Sequence, residues 1–361
     1  MRIAYKYRLY PNREQRKLID FTLERCHLLY NRLLAERIHA YRNEGKSISY
    51  YDQANTLNDR KVAIPGLKLV YSQVLQDVAR RLEKSFLAFY SRVKQGEKPG
   101  FPRFKSSSQY DSFTYPQKGY KLEHKKLELS KIGKVKIKLH RMLQGKIKTC
   151  TILRKNRKYY VSFSCEVERE TLPVSEKSVG IDLGLKTTIV TSDGEFFSTS
   201  RHSHKAQAQI CKLQRAVSRK ERGSNRRKKA VLLLAKKYEH IANQRKEQAH
   251  QISRQLVERY GLIAFEDLRI VKMIQNPNFA QKIADAGWGQ LVAFTKYKAE
   301  SAGRVFIQVD PYHTSQKCSS CGKIVKKDLN VRVHNCPHCG YVGDRDENAA
   351  INILKLALEV S

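Results

Sequence analysis

Residues 2–10 alternate between apolar and mostly basic side chains, which is the period-two pattern of a β-strand with one buried face. After Pro11 the pattern changes to the spacing of amphipathic helices, which continues through residues 12–95. Alternation returns in residues 106–170, where several short strands are predicted. We therefore predict a small antiparallel β-barrel that begins with strand 2–10 and receives a helical bundle as an insertion.

Beyond residue 173 strands and helices alternate, which favours an α/β core. Three apolar strands are predicted, at residues 179–185, 260–268 and 303–310. Ile189 and Val190 are expected to continue the first of these strands after a short break, before a hairpin turn. Two long helices are predicted within residues 205–259, around a turn that contains glycine.

The charge of the chain is far from balanced. Its 361 residues include 70 Lys and Arg against 34 Asp and Glu, a net charge of +36. Such an excess repels itself unless an anionic partner is bound, and nucleic acid fits best because phosphate neutralisation releases counterions. No apolar run reaches membrane-spanning length and no signal peptide is recognisable, so a membrane partner is discounted. Nucleic acid is the predicted partner.

The positive charge is concentrated in one helical segment. Nine Lys and Arg residues lie between Lys212 and Lys229, with Glu221 as the only acid among them. A run of charge is often just a solvated helix face. Like charges on one helix destabilise it without counter-charge, however, so we favour a helical hairpin that lies along a phosphate backbone.

Two C-x-x-C pairs predict a zinc site. The ligands would be Cys318, Cys321, Cys336 and Cys339, each pair followed by a glycine that permits a knuckle turn. Because four thiolates complete a tetrahedral site, this zinc would be structural, and His334 and His338 are expected to flank it. The other four cysteines lie in apolar patterns as small core residues. This cysteine usage predicts a reducing, intracellular compartment.

Three acids stand out in the α/β part. Asp182 lies in the middle of an apolar strand, Glu266 at a strand end, and Asp346 at the start of the last helix. Singly, they allow ordinary interpretations: an acid facing water at a strand edge, an ion pair, and a helix cap, for which Asp344 is an equal candidate. Together, hard oxygen ligands from separate elements suit two-metal phosphodiester chemistry.

Several segments together resemble the TnpB family, RNA-guided nucleases that are encoded by small bacterial and archaeal insertion sequences and are related to compact type V CRISPR effectors. The resemblance covers nearly the whole chain. The similar segments are Lys6-Tyr7-Arg8-Leu9-Tyr10-Pro11, Gly100-Phe101-Pro102-Arg103-Phe104-Lys105, Gly180-Ile181-Asp182-Leu183-Gly184, Leu213 through Ser224, Phe265-Glu266-Asp267-Leu268, Ser315-Gln316-x-Cys318 and Asp346-Glu347-Asn348-Ala349-Ala350.

The resemblance implies an α+β multidomain fold with a wedge β-barrel, an inserted helical recognition lobe, a RuvC/RNase H-like α/β nuclease domain and an inserted four-Cys zinc ribbon. The implied domains are a wedge barrel strand (1–11), the recognition lobe (12–95), the wedge barrel (96–172), the RuvC domain (173–312) with its basic hairpin (205–259), the zinc ribbon (313–342) and the RuvC C-terminal helix (343–361).

The resemblance also implies an activity, that of an RNA-guided DNA endonuclease. Asp182, Glu266 and Asp346 match the family's catalytic triad, which holds two Mg²⁺ ions, with Mn²⁺ as a possible substitute, while the ribbon holds one structural Zn²⁺. The implied partners are a guide RNA from the transposon end and a double-stranded DNA target with a short adjacent motif. The protein would be a monomer within a ribonucleoprotein in the cytoplasm of a bacterium or archaeon.

Nucleic-acid contacts follow from the same resemblance. Tyr50, Gln76 and Thr114 are candidates for reading the target-adjacent motif. Ser72 stands where close relatives carry a lysine, so the preferred motif need not be theirs. Asn348 matches a family residue beside the metals. The remaining expected contacts are Arg103, Lys105, Lys212, Arg215, Arg219, Lys220, Arg226 and Arg227.

Two other functions remain open from the residues. An RNA-guided DNA-binding repressor of the same descent would have lost one or more of the acids, whereas all three are present. A DNA transposase would need an end-binding domain, and no helix-turn-helix that would serve for this is recognised. A protein-only resolvase would not need the long segment ahead of Asp182.

Overall fold

The computed structural model describes residues 1–168, 171–184, 189–198, 202–328 and 331–360. The chain divides into two compact units, Met1–Glu168 and Arg169–Ser361. Each unit has a hydrophobic core of its own. Over the described residues, no helix is both long enough and apolar enough to cross a membrane.

The first unit combines helices with seven β-strands. In chain order its elements are β1 (Arg2–Tyr10), α1 (Arg13–Glu44), α2 (Tyr50–Asn55), α3 (Leu57–Ala63), a 3₁₀ helix (Pro65–Leu69), α4 (Ser72–Lys94), β2 (Ser112–Tyr115), β3 (Tyr120–Glu123), β4 (Lys126–Leu129), β5 (Gly133–Lys138), β6 (Lys146–Lys155) and β7 (Lys158–Glu166). All strand pairs are antiparallel, in the order β2-β6-β7-β1-β5-β4-β3.

The first strand lies at the centre of this sheet, between β7 and β5. Its alternate residues Tyr5, Tyr7 and Leu9 are buried, as the period-two pattern predicted. The Tyr115 hydroxyl of β2 donates a hydrogen bond to the carbonyl oxygen of Ser130, 2.9 Å away and just beyond β4. Because β2 and β4 belong to opposite ends of the strand order, the sheet is curled, as the wedge barrel requires.

The helices inserted between β1 and β2 form the predicted bundle. A capping box begins α1, where the backbone N–H of Gln15 donates to Asn12 Oδ1 at 2.8 Å. The helix ends at Gly45, whose φ of 64° lies in the left-handed region. An ion pair of 2.6 Å between Arg37 of α1 and Glu83 of α4 joins the two longest helices of the bundle.

The second unit is built on a five-stranded sheet. In chain order its elements are β8 (Ser178–Asp182), β9 (Ile189–Thr191), β10 (Phe196–Phe197), α5 (His202–Ser218), α6 (Asn225–Arg259), β11 (Leu262–Glu266), α7 (Ile270–Met273), α8 (Pro277–Ala286), α9 (Trp288–Ala302), β12 (Val305–Val309), β13 (Val333–Asn335), β14 (Val342–Asp344) and α10 (Arg345–Val360). The sheet order is β10-β9-β8-β11-β12, while β13 and β14 pair separately.

The sheet is covered by helices on both faces. On one face, residues of α6 and α9 pack against apolar side chains of β8 and β11. On the other face, α10 packs against Leu262 and Ala264 of β11. These layers and the parallel pairing of β8, β11 and β12 confirm the predicted α/β core. The finer domain boundaries given above remain predictions.

One prediction about this sheet is wrong. Ile189 and Val190 do not continue the Asp182 strand, because β9 is a separate strand that pairs antiparallel with β8 and places Val190 opposite Asp182. The chain therefore reverses between the two strands, and an apolar pattern alone cannot distinguish a broken strand from a reversal. The predicted hairpin that follows, from β9 to β10, is confirmed.

Candidate active site

Two of the three predicted acids lie at the carboxyl ends of neighbouring parallel strands. Glu266 is the last residue of β11, at a strand end as predicted. Asp182 is the last residue of β8, so the prediction that it lies in the middle of its strand is wrong. The residues before them, Ile181 and Phe265, are paired across the two strands. Both acids therefore lie at the same sheet edge, where open α/β sheets usually bind ligands. Glu266 is only 8% exposed and Asp182 is half-buried.

The third acid reaches this edge from the last helix. Asp344 is the residue that caps α10, because its Oδ1 accepts hydrogen bonds from the backbone N–H groups of Asp346 (2.8 Å) and Glu347 (3.1 Å). The cap interpretation of Asp346 is therefore wrong. Since α10 packs against β8, the side chain of Asp346 lies near enough to Asp182 to perturb its titration.

The electrostatics of Asp182 reflect the charges of the other two acids. Burial raises the pKa of Asp182 well above its ordinary value, and the negative charges of Glu266 and Asp346 raise it further. Burial also raises the pKa of Glu266, while a hydrogen bond from Thr314 opposes that shift. Within the described part of the chain, neither Asp182 nor Glu266 belongs to an ion pair, so the ion-pair interpretation of Glu266 is not supported.

Asp346 differs from the other two acids because it has a cationic partner. Arg332 Nη1 lies 3.0 Å from its Oδ2 and 3.3 Å from its Oδ1. The positive charge of Arg345 also acts on Asp182, where it lowers the pKa against the larger raising effects. Two arginines do not balance three carboxylates, and hard oxygen donors with excess negative charge fit a divalent cation such as Mg²⁺. Over the described residues, however, the three carboxylates do not form a set of ligand atoms all within 4.8 Å of one another.

The four cysteines of the C-x-x-C pairs do form such a set. The Sγ atoms of Cys318 and Cys339 are 3.7 Å apart, and those of Cys321 and Cys336 are 3.6 Å apart. A tetrahedron with Zn–S bonds of about 2.3 Å has sulfur–sulfur edges of about 3.8 Å, so the cluster fits zinc in size as well as in chemistry. The described residues therefore contain, at the predicted cysteines, a cluster with the geometry to hold a metal ion.

Each cysteine pair forms the expected knuckle turn. The backbone N–H of Gly322 donates to the carbonyl of Cys318, and that of Gly340 donates to the carbonyl of Cys336. Both glycines have φ above 70°, a conformation that other residues rarely adopt. His334 is fully buried and receives a hydrogen bond from Lys327, and neither it nor His338 belongs to the cluster.

Asn348, which the resemblance included among the nucleic-acid contacts, is engaged within the protein. Its side chain is fully buried, its Oδ1 accepts a hydrogen bond from the Ser319 backbone N–H at 2.8 Å, and its Nδ2 donates to the Lys317 carbonyl at 2.8 Å. Both polar ends are therefore used to hold the Cys318 knuckle on α10. Asn348 lies two residues after Asp346 on α10, and the resemblance did not indicate that its side chain would bond the backbone on either side of Cys318.

The residues predicted to read the target-adjacent motif differ in accessibility. Gln76 is exposed on α4, and Tyr50 is half-buried with the Arg80 guanidinium 5.4 Å from its ring centre. Thr114 is already engaged within the first unit, because Arg81 donates to its hydroxyl at 2.6 Å and its oxygen lies 2.9 Å from that of Thr151. Gln76 thus offers the freest polar group of the three candidates.

The other predicted contacts are mostly exposed. Arg103 faces solvent, whereas Lys105 lies over the rings of Tyr30 and Tyr110 at 4.6 and 5.5 Å and is half-buried. On the basic hairpin formed by α5 and α6, Arg227 is half-buried and donates to the Lys220 carbonyl at 3.1 Å. The exposed side chains there are Lys212, Arg215, Arg219, Lys220 and Arg226.

Three family models match, described as "Helix-turn-helix domain" over residues 1–46, "Probable transposase" over residues 162–277 and "Cas12f1-like, TNB domain" over residues 288–353. A "Putative RNA-guided DNA endonuclease" from Streptomyces pristinaespiralis is 32% identical, over 99% of this chain and 90% of its own length. The chain belongs to the TnpB family.

Further relatives of this TnpB-family chain are consistent with that assignment. "Putative RNA-guided DNA endonuclease InsQ" from Escherichia coli K12 is 31% identical over 97% of this chain and 91% of its own length. The structure of a Cas12f1–sgRNA–target DNA complex has a protein chain of the same fold, with a TM-score of 0.63 at 14% identity and 98% coverage of both chains. The fold expected from the resemblance is confirmed.

Sequence reasoning missed two residues that contact the acids. Thr314 hydrogen-bonds Glu266 from 48 residues away, and Arg332 pairs with Asp346 from within the cysteine-rich segment. The sequence offered one indication of Thr314: it directly precedes the Ser315-Gln316-x-Cys318 motif. Both residues lie on the zinc ribbon, defined as residues 313–342.

Proposed function

We propose that this TnpB-family protein is an RNA-guided DNA endonuclease that hydrolyses phosphodiester bonds at the edge formed by Asp182, Glu266 and Asp346. The observation that carries the proposal is the convergence of three carboxylates from β8, β11 and α10. Among the described residues, Asp346 alone of the three belongs to an ion pair. The net charge of +36 supports a polyanionic substrate. Family membership supports guidance by RNA.

The three acids would hold two Mg²⁺ ions, for which Mn²⁺ would substitute. When bound, such ions supply activation of a water and stabilisation of the leaving oxygen. The contribution of the chain is to fix oxygen donors on two strands and one helix. Glu266 is held by Thr314, and Asp344 takes the capping role, so the Asp346 carboxylate is not needed as the helix cap. The four cysteines would hold one Zn²⁺, with every ligand position filled by protein.

Recognition of the target would be divided between the RNA and the protein. Base pairing between guide and target reads the sequence, so the protein needs mainly phosphate contacts along the duplex. The exposed cations of the basic hairpin suit that role. We propose that Gln76, with Tyr50 and Thr114, lies where a short target-adjacent motif is read, and that Arg103 and Lys105 contact the backbone. The particle would be one protein chain with one guide RNA in a prokaryotic cytoplasm.

No second nuclease motif is recognised in the sequence, so both DNA strands would be cut in turn at one centre. The three intact acids argue against a nuclease-inactive repressor. The structure offers no specific observation in favour of a transposase that joins DNA ends itself.

The test begins with the bound RNA. The chain is expressed with its native flanking DNA, purified at moderate salt, and the retained RNA is sequenced. The particle is then given Mg²⁺ and a duplex that matches the variable end of that RNA beside a randomised flank. We expect cutting beside one enriched flank in the wild type, and none in Asp182→Asn or Glu266→Gln.

Asp267→Asn is the matched control, because this exposed acid is adjacent to Glu266 but points away from the site towards Gln308. It should cut like the wild type. RNA-directed binding without cutting would identify a repressor instead. Cutting or binding that depends on DNA sequence alone, with no specific RNA, would refute RNA guidance.

A further inference from the structure

We propose that the zinc ribbon is a positioning element of the nuclease centre, and that Thr314 is the positioning residue that orients Glu266. This inference rests on the proposed two-metal site. It assigns to the ribbon a task beyond its own folding, namely to set the geometry of two of the three acids.

The first connection runs from the ribbon to β11. Thr314 is 4% exposed and Glu266 is 8% exposed, so their hydrogen bond is shielded from water. The Thr314 hydroxyl also lies 3.2 Å from the carbonyl oxygen of Pro311, which limits its rotation. A glutamate at a strand end can rotate about three side-chain bonds. One fixed donor on Oε1 restrains the carboxylate and leaves its remaining lone pairs for a metal.

The backbone around Thr314 is itself fastened to α10. Asn352 Nδ2 donates to the carbonyl oxygens of Thr314 (2.9 Å) and Lys317 (2.7 Å). Asn348 holds the residues on either side of Cys318, through Lys317 and Ser319. Two asparagines one turn apart therefore bind the first cysteine knuckle to the same helix that begins with Asp346.

The second connection runs from the other half of the ribbon to Asp346. Arg332 pairs with the Asp346 carboxylate at 3.0 Å. The backbone carbonyl oxygen of Arg332 also accepts a hydrogen bond of 2.8 Å from the backbone N–H of Arg345. Arg332 directly precedes β13, which leads into Cys336. The arm that touches Asp346 is thus the arm that carries the second cysteine pair.

The cysteine cluster joins these two arms. Its closest sulfur pairs connect Cys318 with Cys339 and Cys321 with Cys336, so each of these pairs includes one sulfur from each arm. A metal at this cluster would tie the Thr314 arm to the Arg332 arm. Since one arm reaches Glu266 and the other reaches Asp346, the ribbon fixes the separation of these two acids.

The test measures metal affinity rather than cleavage. Full-length protein with zinc bound is titrated with Mn²⁺, and free Mn²⁺ is followed by electron paramagnetic resonance. Loss of a group that orients a metal ligand typically weakens metal binding about 10- to 100-fold, so we expect Thr314→Val to weaken Mn²⁺ binding at least about tenfold. Thr314→Ser, which keeps the hydroxyl, should restore affinity to within about threefold of the wild type.

Thr295→Val is the matched control. Thr295 is a fully buried threonine of the same unit, and its hydroxyl donates only to the carbonyl of Leu291 at 3.0 Å. It should bind Mn²⁺ like the wild type even if its melting temperature falls. Equal losses of affinity in Thr295→Val and Thr314→Val would reduce Thr314 to an ordinary buried residue and overturn the inference.

Glu266→Gln separates this inference from the proposed function. If Glu266→Gln abolishes Mn²⁺ binding while Thr314→Val keeps wild-type affinity, the metal site stands and the positioning role of Thr314 is wrong. If the wild type binds no Mn²⁺ at all, or Glu266→Gln binds as tightly as the wild type, the two-metal site fails and the inference fails with it.

Discussion

Replacing Gly180 by alanine should test how tightly the last helix sets the active site. A Cβ atom at this position would lie 2.1 Å from the carbonyl oxygen of Ala350 and 2.6 Å from the backbone nitrogen of Leu354. Contacts of a Cβ below 3.0 Å do not occur in practice, and both neighbours are backbone atoms that cannot rotate away. To accept the methyl group, α10 must move away from β8 by at least 0.9 Å, the difference between 3.0 and 2.1 Å.

This movement has a predictable effect on both stability and activity. Overpacking of a close contact typically costs about 1–3 kcal/mol of unfolding free energy. Asp346 lies one helical turn before Ala350, so it should move together with that residue. A misplacement of about 1 Å in a catalytic group can cost about 100-fold in rate. We therefore expect Gly180→Ala to remain folded but to cut its target about 100-fold more slowly.

The assay compares single-turnover cleavage at saturating Mg²⁺ with urea unfolding of the same preparations. Gly289→Ala is the matched control, because its Cβ would meet only the Ile270 Cδ1 atom at 3.7 Å within helix α9. It should be neutral or more stable by up to about 1 kcal/mol. A folded Gly180→Ala protein that cleaves within about twofold of the wild type would refute the link between the helix position and the rate.

Three further predictions concern charge and metal. Burial and two neighbouring carboxylates raise the pKa of Asp182, so the folded metal-free protein binds its proton more tightly than the unfolded chain. The unfolding free energy of the protein should therefore fall as pH rises from the ordinary aspartate pKa to the raised pKa of Asp182. Urea unfolding measured across that pH range should show this fall in the wild type and a smaller fall in Asp182→Asn. Metal analysis should find about one zinc per wild-type chain, and Cys318→Ser should lose it together with thermal stability. Replacing the exposed residues Arg215 and Arg219 by glutamine should make the plot of log affinity for duplex DNA against log salt less steep by about 2, because each phosphate contact contributes about 0.9 to the slope. Fluorescence anisotropy at several salt concentrations measures this slope. Arg254→Gln is the control: Arg254 is exposed but pairs with Glu258 at 2.7 Å, so its replacement should leave the slope unchanged.

Much of the nuclease core followed from local patterns. The apolar strands that contain Asp182 and Glu266 were predicted from their hydrophobic runs, although Asp182 was expected in mid-strand and instead ends β8. Parallel strands separated by helices place their carboxyl ends at one edge. The zinc ligands followed from the two C-x-x-C pairs, because that spacing has few other structural uses. These features depend on a few residues close together in the chain, which is why the sequence alone was sufficient.

The features that were missed depend on contacts between distant residues. β9 is antiparallel to β8 because the chain reverses direction between them. The period-two pattern of apolar residues shows where strands lie but not the direction in which they run. The bond between Thr314 and Glu266 spans 48 residues, and a threonine beside a cysteine motif has many equally ordinary uses. An asparagine next to the acids suits a residue beside the metals, but the side-chain oxygen and nitrogen of Asn348 both bond the backbone around Cys318.

The start of α10 shows how the structure decides among equivalent residues. Asp344, Asp346 and Glu347 lie within four positions, and any carboxylate near a helix N-terminus is stabilised by the unpaired backbone N–H groups there. Asp344 accepts two of those N–H groups, which commits it to the cap. The same bonds release Asp346 from capping, and the packing of α10 on β8 then brings it towards Asp182. An acid devoted to folding thus makes a second acid available for chemistry, and replacing Asp344 should impair cleavage without touching any metal ligand.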